Sequence, residues 1–452
     1  MSKSLLLKNA RIINEGNDFI GHILIEKPYI KKIYKPGDQI PESILNTSES
    51  LDLSGKLVIP GVIDDQVHFR EPGLTHKGNI RTESRAAIAG GITTFMEMPN
   101  TNPKTTTQQQ LEAKFKIASD NSPANYSFYI GATNDNIDEL KATDINNVCG
   151  IKVFMGSSTG NMLVDNPDSL KKIFSMNSYI PIAVHCEDED IIRKNTEDAI
   201  NKYGENIPMS MHPLIRDHES CFASSKKAVE LAKKLETRLH ILHLSTAIET
   251  ELFDNTIPLN EKRITAEVCV HHLWFTDEDY KSKGSLIKWN PAIKKITDKI
   301  ILWEALIDNR LDIIATDHAP HTLEEKQNKY LKCPSGGPMV QHSLQLMLEN
   351  YHLGKISLEK IVEKMCHNPA ICFNINKRGF IRENYFADLV VIDLEKEYMV
   401  EKNNILYKCE WSPLEGLLFK SAISYTFVNG NIVFDNGNIY DNQTGMAIEF
   451  NR

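Results

Sequence analysis

The stretch LVIPGVIDDQVHFREPG, residues 57–73, runs from an apolar segment directly into the polar residues Asp65, Gln66, His68 and Arg70. Alternate residues of a β-strand lie on the same face, so positions 66, 68 and 70 are expected to point the same way. Histidine at both 66 and 68 would form half of a metal site, but position 66 is glutamine. The stretch therefore locates candidate chemistry at a strand end and leaves open how a metal would be held there.

Apolar runs of strand length recur on the C-terminal side of this stretch, with amphipathic helical stretches between them. Counting the first, they cover residues 57–64, 92–98, 126–132, 150–156, 180–186, 239–245, 264–270 and 311–317. Near-continuous apolar strands are typical of a parallel sheet covered on both faces, and eight strand–helix units are the number that closes a (β/α)8 barrel. We therefore predict an α/β protein in which residues 57–377 form a TIM barrel.

Short β-rich runs, rather than helices, occupy both ends of the chain. They lie at residues 5–7, 10–13, 22–25 and 30–33, and again at 387–394, 425–430 and 431–437. The VNGN sequence at 428–431 is expected to form a hairpin turn, because Asn-Gly tolerates positive φ. We predict that residues 1–56 and 378–452 fold together as a small β-sandwich-like domain.

Composition and charge narrow the function classes. A hydrophobic content of 41% with 25% charged residues is typical of a globular protein, and the net charge of −9 argues against nucleic acid or an anionic membrane as partner. No apolar run reaches the ~20 residues of a membrane helix, and the first residues lack the apolar core of a secretory signal. The eight cysteines form no C-x-x-C pair, so we expect reduced, buried thiols in a cytoplasmic protein.

Side chains able to bind metal follow several predicted strands, at the edge where TIM barrels carry their active sites. The polar residues in these positions are His68, Arg70, Asn100, Lys152, His185, Glu187, His243, His271, His272, Asp317, His318 and His321. One histidine at a strand end is ordinary, but several strand ends that together supply imidazole and carboxylate are hard to explain by packing. Both groups are common zinc ligands, so the sequence predicts a catalytic zinc site.

Lys152 lies between Ile151 and Val153 in a predicted central strand, where a charged lysine would be costly to bury. One interpretation places Lys152 at an edge, or lets its aliphatic stem reach solvent. The other makes it chemically neutral, or converts it by addition of CO2 to a carbamate whose two oxygens can bridge two metal ions. The residues around Lys152 leave both interpretations open.

A set of motifs in this chain resembles the dihydroorotases of the cyclic amidohydrolase superfamily. The motifs are HFREPG (68–73), MPNT (98–101), KVFM (152–155), VHCED (184–188), LHLS (242–245), WNPAIK (289–294) and ATDHAPH (315–321). The first and last of these are specific in combination, whereas LHLS alone is weak, and the resemblance runs from Leu5 to Gly437. Hydantoinases, dihydropyrimidinases and allantoinases share the metal ligands, so the ligands alone do not fix the substrate.

The resemblance implies a centre of one or two zinc ions per subunit. Lys152 would be the carboxylated ligand that bridges both ions, and His185 and His243 would bind the more exposed ion. His68 and Asp317 would bind the more buried ion. Asp317 would also be the catalytic base that takes a proton from the metal-activated water and passes it to the leaving ring nitrogen. Some dihydroorotases use an aspartate after the fourth strand instead of the lysine, and residues 156–162 contain none, which favours Lys152.

The resemblance also implies the reaction, a reversible hydrolysis of the ring amide of dihydroorotate to N-carbamoyl-aspartate in pyrimidine biosynthesis. Arg70, Asn100 and His321 would hold the ring carboxylate, since an arginine fork and an imidazole suit a planar anion. Asn290 would contact the amide edge of the ring. We expect this small molecule as substrate, a homo-oligomeric protein, and an association with aspartate transcarbamoylase.

Gln66 departs from the family, whose members have Asp-x-His-x-His where this chain has Asp64-Asp65-Gln66-Val67-His68. Gln66 could be a weak oxygen ligand, could leave one ion short of a ligand, or could be replaced by Asp65. Alternatively, the chain could be a non-catalytic partner of aspartate transcarbamoylase, and a hydantoinase-type hydrolase is a further alternative. The five other implied ligands are all present, which favours an active dihydroorotase with an asymmetric or single-zinc site.

Overall fold

The computed structural model describes residues 4–156, 162–176, 179–441 and 445–452. Its first five strands form one part of a mixed sheet. They are β1 (Leu5–Asn14), β2 (Asn17–Glu26), β3 (Tyr29–Tyr34), β4 (Glu49–Asp52) and β5 (Leu57–Pro60). Strand β1 pairs antiparallel with β2 and parallel with both β4 and β5. Alternate apolar residues of these strands, among them Leu7, Ile12 and Ile23, pack into one buried cluster.

Within the described residues, eight parallel strands follow and form the predicted barrel. They are β6 (Val62–Val67), β7 (Ile92–Glu97), β8 (Asn125–Gly131), β9 (Gly150–Phe154), β10 (Ile182–His185), β11 (Leu239–Ile241), β12 (Ile264–Cys269) and β13 (Ile313–Ala315). Each strand pairs with the next along the chain, and a bridge between Val67 and His318 joins the end of the eighth to the first. The prediction of a TIM barrel is confirmed.

The last part of the chain completes the terminal sheet. Its strands are β14 (Leu389–Asp393), β15 (Tyr398–Met399), β16 (Leu418–Phe419), β17 (Ala422–Val428), β18 (Asn431–Asp435) and β19 (Asn438–Ile439). The order in the sheet is β19-β18-β17-β14-β5-β1-β2-β3, and β15 pairs separately with β16. The predicted hairpin is confirmed: Asn429 and Gly430 join β17 to β18 with φ values of 50° and 75°.

The structure divides the predicted first barrel strand, 57–64, between the two sheets. Strand β5 pairs with β1 and β14 in the terminal sheet, and β6 starts the barrel after Gly61. A side chain at Gly61 would lie 2.1 Å from the Thr93 hydroxyl, so the crossing point has room for glycine alone. The C-terminal residues, in turn, return to the barrel, where the Arg452 guanidinium donates to the carbonyls of Val148 and Cys149.

Helix α1 packs against the terminal sheet, and the other helices lie between the barrel strands in the chain or follow the last of them. In chain order they are α1 (Glu42–Thr47), α2 (Ile80–Ala89), α3 (Gln108–Asn121), α4 (Ile137–Lys141), α5 (Pro167–Phe174), α6 (Glu189–Tyr203), α7 (His212–Ile215), α8 (His218–Leu235), α9 (Val270–Trp274), α10 (Tyr280–Lys283), α11 (Ile296–Ile307), α12 (Leu323–Lys326), α13 (Ser343–His352), α14 (Leu358–Val362) and α15 (Asn368–Phe373). Among the described residues, no helix has both the length and the apolar character of a membrane span.

Candidate active site

The carboxyl ends of the barrel strands enclose a cavity of about 100 Å³. It is lined by Gln66, His68, Arg70, Asn100, Lys152, Phe154, His185, His243, Asn290, Asp317, Ala319, Ser335 and Gly336. Every residue predicted to bind metal or substrate is in this lining except His321, whose Nε2 lies 3.0 Å from Arg70 Nη2. The barrel thus brings the predicted residues together, although they are up to 253 positions apart in the chain.

Three residues of the site have left-handed backbone conformations. The φ values are 69° at Arg70, 40° at His243 and 44° at Asp317. Residues other than glycine adopt such conformations at a cost of about 1–3 kcal/mol, and they persist where the surrounding structure imposes them. Each lies just after its strand has ended, so the side chain leaves the alternation of the strand and lines the cavity.

His185 and His243 form one pair of candidate metal ligands. The Nε2–H of His185 donates to Glu187 at 2.8 Å, which leaves Nδ1 with its lone pair 2.9 Å from Nε2 of His243. Glu187 is fully buried and also pairs with Arg216. Burial would raise the pKa of Glu187, but Arg216 and His185 outweigh it and hold that pKa well below its usual range. A fixed carboxylate that orients an imidazole in this way is a common support for a metal ligand.

His68 and Asp317 form a second pair. Nε2 of His68 lies 3.1 Å from Asp317 Oδ1, while its Nδ1–H donates to Asn100 Oδ1 at 2.8 Å. Burial lowers the pKa of His68 and holds that of His243 well below its usual value, so both rings are neutral, as metal ligation requires. Asn100 therefore positions His68 through its amide oxygen, a contact that the sequence did not predict.

Gln66 occupies the place of the missing histidine and contacts the second pair. Its Nε2 donates to Asp317 Oδ1 at 3.2 Å, and its Oε1 accepts from the Cys269 thiol at 3.7 Å. Asp65 does not line the cavity and lies instead against His240, with 3.3 Å between Asp65 Oδ2 and His240 Nε2. Asp65 therefore does not take the place of the missing ligand in this structure.

Lys152 is 1% exposed in the middle of β9, with its amine 4.6 Å from the centre of the Phe154 ring. Burial lowers the pKa of Lys152 to about 7, although the negative charges of Asp317 and Glu267 oppose the change. Neither an edge position nor a stem reaching solvent describes this residue. Near neutral pH much of the amine is therefore uncharged, which is the form that adds CO2. Of residues 156–162, which contain no aspartate that could replace Lys152, residues 157–161 lie outside the described part of the chain.

The spacing of these donors fits a metal ion. Two ligands of one tetrahedral zinc, each bonded at about 2.0–2.1 Å, lie about 3.3 Å apart. The two pairs have separations of 2.9 Å and 3.1 Å. The other ring nitrogens of His185 and His68 are held by oxygens of Glu187 and Asn100. The donor set of imidazole and carboxylate therefore suits zinc at either pair.

The other end of the cavity carries positive charge. The Arg70 Nε–H donates to the Pro320 carbonyl at 3.0 Å, and Nη2 faces His321. Burial lowers the pKa of Arg70 to about 10, so its guanidinium stays charged at neutral pH. Lys77 lies behind His321, outside the cavity lining, with its amine 3.0 Å from His321 Nδ1 and ion-paired with Glu325 at 2.8 Å. Lys77 was missed at the sequence level, although it follows HFREPG by a few residues.

Asn290 contributes an unpaired polar atom. Its side-chain oxygen is buried and has no hydrogen-bond partner among the described residues. The neighbouring Trp289 stacks on His271 with 4.3 Å between ring centres, and His272 Nε2 lies 3.2 Å from the Pro291 carbonyl. His271 thus supports the Asn290 segment by packing and His272 by its contact with the backbone, while the Asn290 oxygen is open to a donor from a ligand.

The residues from 57 to 433 match the model of the amidohydrolase family. The chain is 30% identical to the dihydroorotase of Methanosphaera stadtmanae, over 97% of this chain and 98% of that protein. It is 33% identical to the dihydroorotase of Pyrococcus abyssi, over 87% of each. Among solved structures, the L-hydantoinase of Arthrobacter aurescens superposes with a TM-score of 0.90 and 28% identity, over 96% of this chain and 97% of that one. The chain therefore belongs to the amidohydrolase family and is similar over most of its length to dihydroorotases.

Proposed function

We propose that this protein is a dihydroorotase, which hydrolyses dihydroorotate reversibly to N-carbamoyl-aspartate. The observation that carries the proposal is the buried Arg70 guanidinium, which shares one cavity with the candidate metal ligands. Among the described residues, Arg70 has no carboxylate within ion-pair distance, and its contacts are Pro320 and His321. A buried cation without its own counter-ion suits an anionic substrate. Hydantoin and dihydrouracil lack the carboxylate that distinguishes dihydroorotate.

The proposed cofactor is zinc. His185 and His243 would hold one ion, and His68 and Asp317 would hold a second, with the carbamate of Lys152 between them. Zinc would polarise the ring carbonyl and lower the pKa of a water molecule. The structure supports the lysine modification through the burial of Lys152 and the lowered pKa of its amine.

The two sites are unequal in this proposal. Glu187 and Arg216 support His185, whereas the His68–Asp317 pair has Gln66 where the family supplies a third donor. The Gln66 amide nitrogen, which cannot bind a metal, faces Asp317. We therefore propose that the His185–His243 site binds zinc more tightly than the His68–Asp317 site.

The chain's own groups then bind the ring and move one proton. Arg70 and His321 hold the ring carboxylate, and the Asn290 oxygen accepts from a ring N–H. Asp317 takes the proton of the attacking water, whose oxygen adds to the ring carbonyl carbon. The contacts of Gln66 and His68 are both made to Oδ1, so we assign the transfer to Oδ2. As the C–N bond breaks, Asp317 returns the proton to the leaving nitrogen.

The remaining parts of the proposal concern location and assembly. All eight cysteines are free and buried, which supports a reducing, cytoplasmic environment.

Helix α11 exposes Ile296, Ile300 and Ile307 on one face, and these side chains are 51%, 50% and 41% accessible. An exposed apolar helix face supports a homo-oligomer, which sedimentation of the wild type and of Ile300→Glu would test. The association with aspartate transcarbamoylase stays a prediction from the resemblance.

A substrate comparison tests the proposed activity. The zinc-loaded protein should have a far higher kcat/KM for dihydroorotate than for dihydrouracil or hydantoin, because Arg70 contributes to binding of the first alone. A preference for the uncharged rings would favour a hydantoinase-type enzyme. Absence of turnover on all three, in protein shown to contain zinc, would favour the non-catalytic partner.

A further inference from the structure

Below the candidate active site, the barrel interior contains three ionisable side chains in direct contact. They are Asp65 of β6, His240 of β11 and Glu267 of β12, and each is 0–1% exposed. Interiors of such barrels are usually filled by branched apolar side chains. If both carboxylates were ionised, even a protonated imidazole would leave a net negative charge where an unbalanced charge is costly, and burial together with the charge of Asp65 accordingly raises the pKa of Glu267 well above its usual value. The group is called the interior triad below.

The geometry of the interior triad is that of a ligand set. His240 Nε2 lies 3.2 Å from Glu267 Oε2 and 3.3 Å from Asp65 Oδ2. These separations equal the ~3.3 Å between neighbouring ligands of a tetrahedral zinc. The other ring nitrogen, Nδ1, is 2.8 Å from the Thr265 hydroxyl, which fixes the orientation of the ring. One oxygen from each carboxylate and one imidazole nitrogen therefore face a common point.

Asp65 provides an independent sign that something is bound there. Neither of its carboxylate oxygens receives a hydrogen bond from any described residue, although the side chain is fully buried. Buried carboxylates are otherwise paired, hydrogen-bonded or bound to metal. His240 Nε2 lies 3.3 Å from Asp65 Oδ2 and 3.2 Å from Glu267 Oε2, so a single N–H could not serve both carboxylates.

We propose that the interior triad is a structural binding site for a divalent cation, separate from the catalytic centre. One imidazole and two carboxylates suit Zn²⁺ in particular, and a divalent ion balances the two negative charges while His240 stays neutral. A cavity of about 210 Å³ at the amino ends of the strands is lined by His240, Thr265 and the exposed Arg263, so this face of the barrel opens as far as the His240 member of the interior triad.

The bound cation would also support the catalytic centre above it. Glu267 Oε1 accepts from the backbone N–H of His243 at 3.0 Å, so the carboxylate that binds the ion also holds a candidate zinc ligand. The competing explanation is a proton in place of the metal. Burial would lower the pKa of His240, but Asp65 and Glu267 outweigh it and raise that pKa to about 9. The two explanations differ in the effect that Zn²⁺ has on the protein with and without the Asp65 carboxylate.

The test uses full-length protein in which one ligand of each candidate catalytic zinc is removed, by His185→Ala and Asp317→Ala. This background variant, loaded with Zn²⁺ and passed through a desalting column, should retain about one zinc per chain. Adding Asp65→Asn should abolish the retained zinc. Adding Asp312→Asn, which removes another buried carboxylate of the barrel that is paired with Lys262, should leave it in place. A background variant without zinc, or equal retention with Asp65→Asn, would overturn the proposal.

Thermal unfolding gives a second readout that does not depend on activity. Zn²⁺ should raise the Tm of the background variant and should not raise it after Asp65→Asn. If a proton occupies the site, Zn²⁺ should change the Tm of neither the background variant nor its Asp65→Asn derivative. If Asp65→Asn does not fold, zinc X-ray absorption of the background variant decides: one nitrogen and carboxylate oxygens support the site, and any other ligand set refutes it.

Discussion

Arg70→Gln removes the charge that the proposed substrate carboxylate needs while keeping a polar side chain of similar length. In the structure, Arg70 Nε is committed to the Pro320 carbonyl and Nη2 faces His321, so the remaining guanidinium hydrogens are the donors available to a substrate. A hydrogen bond to a charged group contributes about 1.5–3 kcal/mol. This corresponds to a loss of about 10- to 150-fold in kcat/KM for dihydroorotate, because 1.4 kcal/mol is a factor of ten.

The assay compares dihydroorotate with dihydrouracil, which has the same ring amide and no carboxylate. We expect Arg70→Gln to lower kcat/KM for dihydroorotate and to leave the slow hydrolysis of dihydrouracil unchanged. Arg81→Gln is the matched control, since Arg81 is exposed and pairs with Asp441 outside the cavity. An equal loss on both substrates would show that Arg70 supports the structure of the site, and no loss on either would refute the assignment of the carboxylate.

Three further predictions concern Lys152, Gln66 and the buried ion pair of Lys114 with Glu97. In metal-free protein, ¹³C-bicarbonate should give an NMR signal of the Lys152 carbamate, and Lys152→Arg should abolish that signal. Because only the neutral amine reacts and the pKa of Lys152 is about 7, the rate of carbamate formation should fall about tenfold for each pH unit well below 7. Gln66→His should raise the affinity for the second zinc at least about tenfold in chelator competition, while Gln66→Asn should not. Lys114→Met should destabilise the fold by about 3–5 kcal/mol in urea unfolding, because it leaves buried Glu97 unpaired; adding Glu97→Gln should recover much of the loss.

The barrel and the position of its active site followed from local sequence patterns. Near-continuous apolar runs identified the strands, and polar residues at their ends identified the cavity, because parallel strands present their carboxyl ends at one edge. The run 57–64 shows the limit of this approach. Its first half is as apolar as its second, and the pairing of β5 with β1 and β14 depends on residues far away in the chain.

The contact of Asp65 with His240 could not be predicted from the sequence pattern. Strict alternation places the Asp65 side chain on the other face of the strand from Gln66 and His68, which agrees with its absence from the cavity lining. The register between β6 and β7, however, shifts between Asp64 and Val67. Asp65 and Gln66 both contact residues across the barrel, Asp65 at His240 and Gln66 at Asp317. Likewise, the support of His185 by Glu187 depends on Arg216, which no spacing rule connects to a strand end.

The most direct test of the central claim is hydrolysis of dihydroorotate by the purified protein in metal-free and zinc-loaded form, with the zinc content of each sample measured. We predict that the zinc-loaded protein interconverts dihydroorotate and N-carbamoyl-aspartate in both directions, that the metal-free protein does not, and that Asp317→Asn carrying zinc is inactive. No interconversion by wild-type protein that contains zinc would contradict the claim that this site is a dihydroorotase.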